Sequence, residues 1–367
     1  MYKLFKLSFL EVINHLLSVI LSMVIAKKFG VIFKGELALL TLSAGFFYLL
    51  TFSGFKNLAL KLDDSELNEV FRLVFIIFFF LTPFVFILNL FFKLNLFYFL
   101  VYSILFSLKD LFYGIELKNS RSINAFLINI IPNLLVLFFL VFLPQYTTIY
   151  FLIFTPLIPS FFFLIRNYKL LNFRFKSDYY KELLFFNGVI TFSSIPLFLP
   201  MIFLTGKLDE LAFFTVASGM NILVLKVTRV IGVTAYKDFE NSDIVLSKEI
   251  ILLSLMIFVA VLCGIPFLKY LITFFYGLDF LPVYNVAIPL LFSSILLPAN
   301  SRIEVWHLTK GFHKRYLYLS VGISFIFILC LFFYVNALIM SYLFLGYRIL
   351  LFLFGLYSKN LLSNENI

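Results

Sequence analysis

Apolar residues run through this chain in long blocks, broken at intervals by short polar or charged stretches. A helix rises 1.5 Å per residue, so about 20 apolar residues cross a bilayer core of roughly 30 Å. Read between the polar breaks, the blocks predict about twelve helices, near 7–27, 36–55, 71–92, 96–116, 122–143, 148–165, 183–205, 211–235, 249–271, 282–299, 316–335 and 337–357. The last two are joined tightly around Asn336. This is the pattern of an all-α polytopic membrane protein, with no loop long enough to be a domain of its own. The basic N-terminus, with Lys3 and Lys6 ahead of an apolar run, lacks an A-x-A-like cleavage site and reads as the first retained helix.

Composition strengthens that picture. The 367 residues are 63% hydrophobic and 13% charged, with a mean hydropathy of +1.06. Soluble domains carry about twice that share of charge. Cys263 and Cys330 both sit within apolar blocks and read as packing residues. His15, His307 and His313 have no metal-ligand spacing, and no phosphate-cradling glycine loop is present. Metal and nucleotide chemistry therefore have no motif here, and the expectation is a protein without a cofactor that is not an enzyme. The net charge of +10 fits loops facing anionic lipid better than nucleic acid.

Lys and Arg also orient the chain. The termini and even-numbered loops hold 19 of them, the odd-numbered loops 6: Lys27, Lys28, Lys34, Lys93, Lys207 and Lys269. Both termini are expected in the cytoplasm. "ELALLTLSAG" at 36–45 returns 174 residues later as "ELAFFTVASG" at 210–219, at the starts of the second and eighth helices. A shift of six helices keeps orientation, so the repeat is parallel. It predicts two pseudo-symmetric six-helix bundles around a central cavity. Residues 1–165 and 183–367 form the bundles, and the basic segment 166–182 is their cytoplasmic connector.

Polar groups at membrane depth mark protein or water-filled surroundings. Glu11, Asn14, His15, Ser18 and Ser22 share one face of the first helix. That stripe either lines a cavity or bonds helices together. Asn187, Thr191 and Ser194 share a face of the seventh helix. Lys226 and Arg229 share a face of the eighth, where snorkelling to the interface is the competing reading. Arg348 lies mid-helix in the twelfth and needs a carboxylate or an anionic ligand. Lys109 and Asp110 are adjacent and point apart. A cationic interior suits a phosphate-bearing cargo.

"VIAKKFGVIFKGELALLTL" (24–42), with Ala26, Phe29, Gly30, Gly35 and Ala38, resembles the opening of polysaccharide flippases. "LAFFTVASGMNIL" (211–223) is similar to their eighth helix. "FFYGLDFLPVYNVAIPLLFSSILLPANSRIEVWHLTKGFHKR" (274–315) resembles a later helix pair. The resemblance implies the multidrug/oligosaccharidyl-lipid/polysaccharide exporter superfamily. It also implies alternating access around a cationic cavity, and undecaprenyl-pyrophosphate-linked oligosaccharide as cargo for surface (O-antigen type) polysaccharide. The chain is short for that family, and Lys27 stands where members often carry Arg. The family's cavity cation falls on Lys27, whereas the first-helix stripe lies angularly nearer Lys28. Headgroup anchoring of both lysines is the plainer alternative.

The expected function is thus a flippase in the bacterial cytoplasmic membrane, partnered by membrane lipids and by polymerase or other polysaccharide-assembly proteins. Lys27, Lys28, Lys226, Arg229 and Arg348 are its candidate cargo-binding cations. Glu11, Asn14, His15, Ser18, Ser22, Asn187 and Thr191 are candidate lining residues. Proton or sodium coupling would fall to Glu11, His15 or Asp110. Two alternatives remain. A polymerase of the same pathway would want a long, Arg-bearing outer loop, which is missing. A small-molecule exporter of the same superfamily would favour intramembrane carboxylates.

Overall fold

A computed structural model describes residues 2–51, 72–83, 96–118, 122–140, 200–204, 206–221, 244–310, 312–333 and 336–365, with a few isolated positions between 142 and 159. All regular structure among the described residues is helical. The helices are α1 (Tyr2–Thr51), α2 (Arg72–Pro83), α3 (Leu96–Lys118), α4 (Ser122–Leu140), α5 (208–221), α6 (Lys248–Tyr276), α7 (Val283–Ser294), α8 (Leu297–Thr309), α9 (His313–Phe333) and α10 (Ala337–Glu365). The chain divides into two compact units. One joins Met1–Leu39 to Phe192–Ile367, and the other is Leu40–Thr191. The expected connector, 166–182, lies outside the described residues.

The first two expected helices both appear within α1, and the loop between them shrinks to one residue. Gly30 has φ 81° and ψ −176°, so the chain turns there rather than running on as one rod. The reason that residues 33–38 join the unit containing the later helices is close packing. A Cβ at Gly35 would collide with the backbone carbonyl of Leu208, so the two chain segments touch at backbone level.

Among the described residues, Lys248–Tyr276, Lys314–Phe333 and Ala337–Leu361 are each long and apolar enough to cross a membrane. Leu16–Thr41 is as apolar but carries the Gly30 break. Helix α6 presents Phe267, Tyr270 and Phe274 outward, a surface suited to lipid. The expected helix 282–299 is instead a pair: α7 and α8 meet at a 45° bend and helix continues to Thr309. The bend has local causes. Ser293 and Ser294 return their hydroxyls to the carbonyls of Leu290 and Leu291, and Pro298 opens α8. Residues 300–309 read as loop because they are polar; they are helical because protein buries them.

The unit containing α5–α10 has two distinct ends. At one, Phe280 packs edge-on to Phe213 (6.3 Å) and Phe203 packs against Phe332 (5.1 Å). There Glu210 accepts a 2.9 Å hydrogen bond from the Ala337 amide, while Asn336 accepts from Leu338 at 2.8 Å. Together they cap α10. At the other end Arg302 donates to the Ile244 carbonyl (3.3 Å), and Trp306 stacks on Phe312 (5.7 Å). Odd-numbered connections thus gather at one end and even-numbered ones at the other, as an up-and-down chain requires. Glu210→Gln keeps the size but removes the charge from a helix N-terminus, so it should cost about 1 kcal/mol, read as a lower Tm in detergent.

Candidate functional site

Three groups of ionisable side chains lie within the helices. The first is on α1. Asn14 is buried and Ser22 half-buried, with the Tyr276 phenol close to Ser22. Ser18 donates to the Asn14 backbone carbonyl (3.1 Å). Glu11 and His15 lie on the helix, but their side chains are outside the described set. Lys27 and Lys28 are both exposed, and Lys28 reaches back over the Phe29 ring (5.0 Å). Lys34, which the sequence placed among loop cations, is the buried one, at 8% exposure. Phe33, Gly35, Leu37 and Ala38 are buried around it. No ion pair of Lys34 occurs among the described residues.

The second group belongs to the unit Leu40–Thr191. Tyr48 donates a 2.7 Å hydrogen bond to Asp110 on α3. Phe106 takes the edge of Tyr48 (5.0 Å, 73°), stacks on Tyr102 (5.7 Å, 20°), and carries the Lys109 ammonium over its face at 4.2 Å. Adjacent Lys109 and Asp110 thus meet different groups of one cluster, Lys109 the Phe106 face and Asp110 the Tyr48 phenol. The cation that this aromatic cluster holds is the chain's own Lys109 ammonium. One turn and a half further on, buried Glu116 accepts from Asn124 at 3.0 Å.

The third group joins α8, α9 and α10. Arg348 packs its guanidinium on Phe344 (5.1 Å) and Tyr347 (5.9 Å) of its own helix. Asn300 donates to the Arg348 carbonyl (3.1 Å). Glu304 stands close enough to act electrostatically on Arg348, Tyr316 and Tyr347. Glu304 is thus a carboxylate in the surroundings of Arg348, hidden from sequence reading by its place in an expected loop. One turn on, buried His307 keeps its proton on Nδ1, which donates to the Ile303 carbonyl (2.8 Å), leaving Nε2 to accept from Ser358 (3.2 Å).

The remaining expected residues, Lys226, Arg229, Asn187 and Thr191, lie outside the described residues. The structure places Glu304 in the surroundings of Arg348 and bonds Asp110 to Tyr48; of the candidate cations it describes, Lys27 and Lys28 stand exposed side by side on α1, and Arg348 lies on α10. Spacing along a single helix could not reveal Tyr48, Glu304 or Lys34, because each owes its role to a neighbour from another helix or to burial.

No protein-family model matches the chain, and no curated protein is detectably similar in sequence. Solved structures are similar. A MATE P26A mutant aligns over 99% of this chain and 96% of its own, with TM-score 0.63 and 14% identity. An outward-facing multidrug resistance MATE family transporter of the MOP superfamily gives 0.60 at 14% identity, with the same coverage. An inward-facing one gives 0.57 at 15%, also over 99% and 96%. The protein is an all-α, multi-pass membrane protein with the fold of the twelve-helix MATE transporters.

Proposed function

We propose that this chain is a secondary exporter of the MOP-superfamily kind, carrying small amphipathic molecules across the membrane by alternating access. The observation that supports this is the likeness to multidrug MATE transporters over nearly the whole chain, in outward- and inward-facing forms alike. The Asp110 carboxylate, which accepts from Tyr48, is the acidic group that a cationic cargo or coupling ion would use. Losing a charge-assisted contact is worth about 1.5–3 kcal/mol, or tenfold and more in rate. Asp110→Asn should therefore slow transport at least tenfold while lowering Tm only modestly, since Asn keeps an oxygen for the Tyr48 hydroxyl, as measured by initial uptake rates into proteoliposomes.

A second reading, flipping of a lipid-linked pyrophosphate oligosaccharide in a bacterial cytoplasmic membrane, draws on the buried Lys34 and the half-buried Arg348. It is the reading that the flippase resemblance of the sequence suggests. The two are separated by expressing the chain in an efflux-deficient bacterium and deleting the gene in its native host. The exporter reading expects higher resistance to lipophilic cations and no change in lipid-linked sugars. Unchanged resistance, with repeat units stranded on the cytoplasmic leaflet of the deletion strain, would replace it by the flippase.

A further inference from the structure

Lys269, one of the cations expected in an odd-numbered loop, belongs to no loop: α6 runs on past it to Tyr276. It stands exposed on that helix, and no ion pair of it occurs among the described residues. Lys269, Tyr270, Thr273 and Phe274 together line a shallow groove of about 550 Å³. Their spacing i, i+1, i+4, i+5 puts all four on one face. Tyr270 and Phe274 are 75% and 74% exposed, and Phe274 is braced edge-on by Phe275 (5.0 Å). The Thr273 hydroxyl donates to the Lys269 carbonyl (3.0 Å), so its proton is spent within the helix.

Depth decides what meets this groove. Lys248 opens α6, and the helix rises about 31 Å from there to Lys269. That matches a hydrocarbon core of roughly 30 Å, so the two lysines mark its two boundaries. The groove therefore lies at the level of lipid phosphates and glycerol, where exposed aromatic rings gather. A lone lysine there would snorkel to any headgroup. A groove that joins the ammonium to two exposed rings asks for more, a molecule anionic at one end and apolar at the other. A second copy docked about a two-fold axis through the groove would set Lys269 against Lys269. We infer that the groove binds an anionic phospholipid of the leaflet at the Tyr276 end, its phosphate on the Lys269 ammonium and an acyl chain beside Tyr270 and Phe274. The inference holds whichever cargo the chain carries.

The test uses the whole chain in a maltoside detergent, offered equal amounts of phosphatidylglycerol and phosphatidylethanolamine, with native mass spectrometry counting the lipids retained. Wild type should hold one phosphatidylglycerol in preference to phosphatidylethanolamine. Lys269→Gln should weaken that lipid about fivefold, the worth of one lysine near an anionic surface, and Lys269→Arg should keep it. Phe274→Ala should weaken it about threefold. Both side chains are exposed, so Tm should not move. Lys248→Gln is the control: its cation stands at the other end of α6, beside Glu249, and its loss should leave the lipid in place. Retention by Lys269→Gln or by Phe274→Ala equal to that of wild type would overturn the site. So would an equal loss in Lys248→Gln, which would reduce the effect to overall charge. A lipid-free dimer that Phe274→Ala breaks would replace the phospholipid by a second copy of the chain.

Discussion

Gly35→Ala should destabilise the protein by about 3 kcal/mol and shed most of its monodisperse fraction in detergent. A Cβ there would strike the Leu208 carbonyl oxygen, and would stand 2.8 Å from its carbon and 3.0 Å from the Leu208 Cβ. Two of those three atoms are backbone, so no rotamer change relieves the overlap. The start of α5 would have to move as a piece, and overpacking of that kind costs about 1–3 kcal/mol or more. A matched control comes from Gly219, interior to α5, where a Cβ meets nothing within 4 Å. Gly219→Ala should be neutral or stabilising by up to about 0.5–1 kcal/mol, since glycine weakens helix interiors. Thermal unfolding of both variants in one detergent separates close packing from helix propensity. If Gly35→Ala melted with Gly219→Ala, the backbone contact between residues 35 and 208 would be refuted.

Gly30→Ala should cost about 1–3 kcal/mol by a different route. No atom lies within 4 Å of a Cβ at that position, so packing is not at issue. The backbone is: φ 81° with ψ −176° falls in a region essentially reserved for glycine. The variant must either bear the strain or let residues on both sides join in one continuous helix. The second response would swing Lys27 and Lys28 relative to Lys34. A loss of transport larger than the loss of Tm would mark that response, and an unchanged Tm would show that the turn at Gly30 is not held as described.

Helix positions were readable from the chain because a bilayer allows few choices. Long apolar blocks can only satisfy their backbone as helices, and α6 and α10 fall where their blocks fall. Polar helices were not readable. Asn300, Arg302 and His307 suggest a loop until their partners, the Arg348 carbonyl, the Ile244 carbonyl and Ser358, are seen to come from elsewhere in the fold. The same limit governed the candidate site. Arg348 announced itself as a charge deep in an apolar block, but Glu304 did not, because its sequence neighbours are polar. The sequence alone groups Lys34 with the loop lysines 27 and 28, although only it is buried. Within the first-helix stripe, Ser18 turns its hydroxyl to its own helix, a use that periodicity alone cannot distinguish from cavity lining.

The measurement that bears most directly on the account is uptake of a fluorescent lipophilic cation by proteoliposomes of the purified chain under an imposed proton or sodium gradient. The exporter reading predicts gradient-dependent accumulation above protein-free liposomes, falling at least tenfold in Asp110→Asn. Uptake indistinguishable from protein-free liposomes under both gradients, from protein of normal Tm, would contradict it.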